Sequence, residues 1–298
     1  MSNETIGVLQ VLLASVFYGF MPALTQLAFA AGSTVESVLA GKYLIGMILL
    51  WAYILIKRKN VNIGRSNMIF IGAVGIAIAV CVYCMASSYK YLPGAVASLI
   101  VFSYIIIVNI IELITGNERP NTVRLICLAL ATGGLIAVIY QPSDGNGLSS
   151  KGILFALITG ILYSVWIMAM GAKRLRPFSP ELVSGSMLIM PALINIANCI
   201  IAGHPVLPQN PWQWLYVSLL AIFPNFISPV IICAAVKRIG ASTVSIINTS
   251  EPLVAYFAGM FLMGDRLSLN ATLGGCAIIL GILILNINLN RRLSPPIL

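Results

Sequence analysis

The sequence predicts an all-α integral membrane protein of ten transmembrane helices, arranged as two five-helix repeats of inverted topology. Three observations carry that expectation. The 298-residue chain is 59% hydrophobic and 8% charged, with a mean hydropathy of +0.99, whereas a soluble domain carries roughly 25% charged residues. Its apolar runs are each about 20 residues long, the length that crosses a bilayer as a helix. Short segments also recur at a nearly constant offset between the two halves.

The first run, 6–31, contains Ala28-Phe29-Ala30, which looks like a signal cleavage site. No Lys or Arg precedes Lys42, and the run is too long for a signal h-region, so it is read as a span. The second, 35–56, is closed by Lys57-Arg58-Lys59. Span three covers 68–89, and a Tyr91-Leu92-Pro93-Gly94 turn leads into span four, which ends at 115. Residues 116–120, with Gly and Pro, break the chain before span five at 122–140. The stretch 141–150, rich in Pro, Gly, Asn and Ser, is the most loop-like part of the chain and lies near its midpoint. Span six is 152–171, span seven 181–202 with Pro191 inside, and span eight 212–236 with Pro224 and Pro229 inside. Lys237-Arg238 separates it from span nine at 240–267, and span ten, 270–289, ends before Arg291-Arg292. The domains are thus a first repeat at 1–140, a linker at 141–150, a second repeat at 151–292 and a tail at 293–298.

Lys and Arg concentrate on the cytoplasmic side of a membrane protein. With the N-terminus inside, of the 17 Lys and Arg residues only Lys42, Lys90, Lys151 and Arg266 fall outside. The other 13 fall inside, which supports ten spans with both termini cytoplasmic. The net charge of +9 therefore reflects topology. It does not form the one-sided basic face that nucleic acid requires, and no nucleic-acid partner is expected. The six cysteines all lie in apolar runs, so Cys81-Val82-Tyr83-Cys84 reads as buried small side chains rather than as a redox or metal pair. The single histidine, His204, cannot supply a zinc site or His-based catalysis, and no metal is expected.

The offsets are specific. Gly7-Val8-Leu9 and Tyr18 match Gly152-Ile153-Leu154 and Tyr163 at a shift of 145. Lys90 with Asn117-Glu118-Arg119 matches Lys237 with Gly264-Asp265-Arg266 at a shift of 147, and Gly133 or Gly134 pairs with Gly281 similarly. Five spans per repeat is an odd number, so the second repeat enters the membrane inverted. Such repeats are characteristic of secondary transporters, whose substrate site lies near the midplane between halves.

Span nine holds the most informative stretch. Glu251-Pro252 stands near its middle, preceded by Ser245, Asn248, Thr249 and Ser250. A carboxylate at membrane depth is costly and normally faces a wet cavity or a partner. The proline removes a backbone donor and loosens the helix beside it. Non-helical backbone is tolerated at that depth next to a cavity or within protein.

Glu251-Pro252-Leu253 followed by Gly264-Asp265-Arg266-Leu267, with Gly240-Ala241-Ser242 before it and Trp166 in span six, resembles the EamA-type group of the drug/metabolite transporter superfamily. The resemblance covers essentially the whole chain. It departs at Tyr104-Ile105, which stands where the second half has Glu-Pro, and at Asp265, where the group usually has Glu. It implies ten helices around a central cavity and alternating access without ATP or another cofactor. It also implies small organic solutes, often amino acids or related metabolites, mostly exported through the cytoplasmic (inner) membrane.

Eight residues are candidates for substrate binding. Glu251 either pairs with a substrate ammonium or carries a coupling proton; the structural alternative is a Glu that braces the break at Pro252. Tyr18, Tyr163 and Trp166 lie in repeat-related spans, and Tyr163 and Trp166, three apart, share a helix face that can hold a cation. Tyr83 and Tyr104 are mid-span phenols that want a partner, in a cavity or between helices. Asn225 follows Pro224, and Asn248 precedes Glu251 by three, so either amide can bind substrate or a neighbouring helix. Lys42 is read as snorkelling to the outer surface, with binding of a substrate carboxylate as the alternative, and no Lys or Arg is expected at the midplane.

The expected function is secondary transport of amino acids or amine-like solutes, with export favoured over import of an amine or quaternary ammonium compound. Coupling is to protons or to substrate gradients. The chain is not expected to be an enzyme: its eight acidic residues are scattered along the chain, all but Glu251 in loops or near span ends, which disfavours an intramembrane enzyme acting on lipid-linked substrates. A channel is the remaining alternative, distinguished by flux that does not saturate.

Overall fold

The computed structural model describes residues 3–57, 62–114, 122–139, 148–170 and 172–264, with shorter pieces between 269 and 284. The break at 116–120, most of the linker at 141–150, Asp265-Arg266-Leu267 and Arg291-Arg292 lie outside the described residues.

The helices follow the apolar runs. They are α1 (Asn3–Ala30), α2 (Val35–Ile56), α3 (Arg65–Tyr91), α4 (Gly94–Val101), α5 (Ser103–Ile114), α6 (Thr122–Ile139), α7 (Ser150–Met170), α8 (Pro180–Ile201), α9 (Pro211–Leu220), α10 (Ser228–Ile247) and α11 (Glu251–Ala258). Side-chain caps fix several starts. Thr34 accepts from Ser37 N before α2, Ser179 from Leu182 N before α8, and Asn210 from Gln213 N before α9. Each satisfies one of the amide donors that a helix start leaves unpaired. Pro180 and Pro211 open α8 and α9, where a missing N–H costs nothing.

Among the described residues, six helical stretches are long and apolar enough to cross a membrane: Glu4–Ala30, Val35–Ile56, Arg65–Tyr91, Ser150–Met170, Pro180–Ile201 and Pro211–Ile239. These coincide with predicted spans one, two, three, six, seven and eight. Shorter helices stand where the other four are predicted: α4 with α5, α6, α11, and Thr272–Gly281. Two of them are short because the helix is interrupted. Phe102 separates α4 from α5, and a 3₁₀ turn at Asn248–Ser250 precedes α11.

The reversal between spans eight and nine is tighter than the sequence suggests, since helical backbone runs from Ser228 to Ile247 without a loop. Its place is fixed by contacts with α1. Gln213 Nε2 donates to Ala31 O at 3.0 Å, at the far end of α1. A Cβ on Gly7, at the near end, would stand 2.7 Å from Ile239. Asn248 then bonds Ser15, and Gly19 lies against Glu251 and Val254. The chain thus meets the far end of α1 at Gln213, its near end at Ile239, and its middle again at Asn248.

The buried interior is apolar, with Val38, Leu39, Leu50 and Ile54 of α2 fully enclosed, while Leu9, Ile48, Ile69, Ile161 and Leu193 face outward. An apolar exterior suits lipid. Association of such helices rests on close packing, for which small residues matter more than hydrophobicity.

Candidate functional site

A cavity of about 90 Å³ lies among α1, α2, α3, α7, α8, the Pro224 region and α11. Tyr18, Tyr163, Trp166, Asn225 and Glu251 line it. A smaller adjoining recess shares Tyr18, Tyr163 and Trp166 and adds Tyr104 and Asn248. Seven of the eight candidate residues therefore converge on one region.

Glu251 is 8% exposed. The 3₁₀ turn and Pro252 at the start of α11 set it at a helix break. Asn248 Nδ2 donates to Glu251 Oε2 at 3.0 Å, and Ser15 Oγ donates to Asn248 Oδ1 at 3.0 Å. Serine, amide and carboxylate form a chain from α1 to α11. It holds Asn248 in one orientation. α1 can approach this closely because residue 19 is glycine: a Cβ there would lie 2.9 Å from Glu251 O.

The aromatic residues form a file. Ring centroids are 4.8 Å apart for Tyr104–Tyr163 and 4.9 Å for Tyr163–Trp166, both tilted at 60°. Such a file offers ring faces to an ammonium and apolar surface to a side chain.

Asn225 stands in a second helix irregularity, a π-helical segment at Ala221–Ile227 that includes Pro224. Segments of this kind cluster at functional sites. Tyr83 stands apart from the cavity lining. Its hydroxyl donates to Glu36 Oε1 at 3.1 Å, and His204 Nε2 lies 3.9 Å from Glu36 Oε2.

The structure corrects one expectation and adds a residue. Lys42 does not snorkel: it is 4% exposed and lines the cavity. It stands two turns inside α2, with Nζ 5.4 Å from the centroid of the Tyr43 ring. A cationic side chain is therefore present at the cavity after all. Cys81 and Cys84 are buried free thiols, and among the described residues no cluster of His, Cys, Asp and Glu could hold a metal.

The profile of the EamA-like transporter family matches residues 5–140 and again residues 150–287. The chain belongs to the EamA-like transporter family. An "Uncharacterized transporter" of Clostridium kluyveri is 19% identical over 296 residues, covering 96% of this chain and 94% of that protein. "Uncharacterized transporter YcbK" of Bacillus subtilis is 21% identical over 291 residues, covering 90% and 88%. An "Uncharacterized transporter" of Archaeoglobus fulgidus is 23% identical over 233 residues, covering 75% and 78%. A solved crystal structure shares the fold with a TM-score of 0.71 at 19% identity, over 97% of this chain and 99% of its own. This EamA-family chain is thus a multi-pass membrane transporter.

In this transporter, a cavity with a carboxylate, an aromatic file and amides can hold an amine. Trp166→Ala is expected to raise the half-saturation concentration for substrate about thirtyfold, the size of a desolvated cation–π contact of about 2 kcal/mol. Thermal stability should change less. Saturation measurements on reconstituted protein check this, and an unchanged half-saturation would return Trp166 to packing.

Proposed function

We propose that this EamA-family transporter is a secondary-active carrier of amino acids or amine-like solutes, working by alternating access. The observation that carries the reading is Glu251, a buried carboxylate braced by Asn248 and facing a cavity lined by Tyr163 and Trp166. A carboxylate with aromatic faces nearby is suited to an ammonium. Two helix irregularities flank the cavity, at Ala221–Ile227 and at Asn248–Ser250, and both supply backbone that can flex. Coupling is to protons through Glu251 or to a substrate gradient, and export is the direction favoured by the family resemblance.

The ten-helix inverted repeat, with halves at 1–140 and 151–292, belongs to the same proposal. Support comes from contacts that recur with the halves exchanged. A Cβ on Gly7 would meet Ile239 at 2.7 Å, and one on Gly152 would meet Leu92 at 2.6 Å. Gly152 lies 145 beyond Gly7, and Ile239 lies 147 beyond Leu92. Gln26, near the end of α1, donates to Leu92 O at 3.3 Å, so the end of α1 and the start of α7 approach the same turn. Helices that begin on opposite faces are what inversion requires. A cytoplasmic membrane location with both termini inside agrees with the Lys and Arg distribution. The agreement improves once Lys42 is assigned to the cavity.

The test is counterflow in proteoliposomes against amino acids, polyamines and quaternary amines. Saturable exchange of one class is expected. Flux that rises linearly with concentration would replace the carrier by a channel, and absence of exchange across the panel would overturn the substrate class.

A further inference from the structure

Lys42 presents an unusual physical situation. It is 4% exposed, it lines the cavity, and it makes no hydrogen bond or ion pair with any described residue. Its ammonium stands over the ring of Tyr43. Glu251 lines the same cavity, yet the two charges do not pair within 4.0 Å. A buried cation without an anion is strongly disfavoured, so such a group is normally matched by something.

A second unmatched donor lines the same cavity. Asn225 is 5% exposed and lines the same cavity, and its Nδ2 has no hydrogen-bond partner. The π-helical segment carrying it packs onto α2 at Gly46, where an added Cβ would lie 3.0 Å from Asn225 Cβ and 3.3 Å from Ala221 O. Gly46 is four residues beyond Lys42, on the same face of α2. Glycine there removes the side chain that would otherwise separate the amide from α2. Both groups are donors, and the Asn225 amide is left without a partner by the fold. A native buried donor of this kind, beside a cation that lines the same cavity, points to an acceptor absent from the chain itself.

We propose that Lys42 and Asn225 form a carboxylate-binding pole in the cavity, so that the substrate is a zwitterionic amino acid rather than a simple amine. The inference rests on the carrier reading above, in which Glu251 receives the ammonium. The ammonium of Lys42 and the amide of Asn225 take the two carboxylate oxygens. The aromatic file and Met21, Met85 and Met187 at the cavity wall receive an apolar side chain. Two charged poles also supply a selection rule. An amine leaves Lys42 unmatched and a carboxylic acid leaves Glu251 unmatched, and each omission weakens binding.

Binding of matched triplets to the purified full chain tests this without requiring transport. One triplet is L-leucine, 3-methylbutylamine and 4-methylpentanoate; the other is L-phenylalanine, 2-phenylethylamine and 3-phenylpropionate. Affinities are read from ligand-dependent thermal shifts. Each amino acid is expected to bind at least tenfold more tightly than its amine or acid, the effect of about one charge-assisted hydrogen bond. Lys42→Met keeps the length and removes a buried charge, and it should abolish the preference for amino acid over amine. Asn225→Ala, which changes the amide alone, should reduce the same preference if the Lys42 variant does not fold. Equal binding of amine and amino acid, or an unchanged preference in these variants, would overturn the pole. So would stabilisation by chloride or acetate alone equal to that by the amino acids, or no binding in either triplet. Amine binding without preference would remove the pole and leave the carrier reading to stand on counterflow.

Discussion

Glu251→Gln is expected to reduce counterflow about a hundredfold or more and to flatten its dependence on pH, while the protein stays folded. The folding half of that expectation comes from the hydrogen bonds. Asn248 Nδ2 donates to Glu251 Oε2 at 3.0 Å, and a glutamine carbonyl accepts the same bond. Ser15 still holds the other side of Asn248. The functional half comes from charge. Losing one partner of a buried, hydrogen-bonded charge pair costs about 2–5 kcal/mol, and about 1.4 kcal/mol is a factor of ten. A glutamine can neither match an ammonium nor exchange a proton, so both coupling routes through this position close together. Wild-type counterflow in the variant at every pH, with size-exclusion profiles unchanged, would make Glu251 a brace for the break at Pro252 and nothing more.

What could be read from sequence, and what could not, follows from the kind of information each residue carries. Glu251-Pro252 stood out because a carboxylate and a helix breaker contradict the apolar run around them. Tyr18 and Tyr163 were found through the repeat, and both reach the same cavity. Lys42 is visible as a charge in a span, and of its two readings, snorkelling and a substrate-facing role, sequence favours the one that the structure does not show. Hydropathy gives depth along a helix, and a lysine two turns from the end can snorkel or turn inward with equal ease. The difference lies in the rotation of α2 and in the approach of the Pro224 segment at Gly46, neither of which is local. Tyr83 shows the same limit. Its neighbour Val82 lines the cavity, but the phenol lies beside Glu36. The interruptions that shorten α4 and α11 were half legible. Pro252 marked one, whereas Phe102 carries no breaker signal.

Gly19→Val is expected to destabilise the protein by about 3 kcal/mol and to abolish counterflow in whatever fraction still folds. A Cβ on residue 19 would stand 2.5 Å from Val254 Cβ, 2.7 Å from Val254 Cγ1 and 2.9 Å from Glu251 O. Two of the three cannot swing aside, since Val254 Cβ is fixed to its backbone and Glu251 O is backbone itself. Relief requires α1 and α11 to move apart, and overpacking of this kind costs about 1–3 kcal/mol. Ser15 lies one turn from Gly19 on the same face of α1, so separation also breaks its 3.0 Å bond to Asn248. A buried amide then loses a partner, at about 1–3 kcal/mol more, and Glu251 loses the group that orients it. The substitution therefore acts on stability and on the site through one contact. Gly72→Val is the control, because an added Cβ at residue 72 meets nothing within 4 Å. Thermal midpoints and counterflow measured side by side should show a large loss at residue 19 and little change at residue 72. Equal behaviour of the two variants would mean that close approach of α1 to α11 is not what positions Glu251.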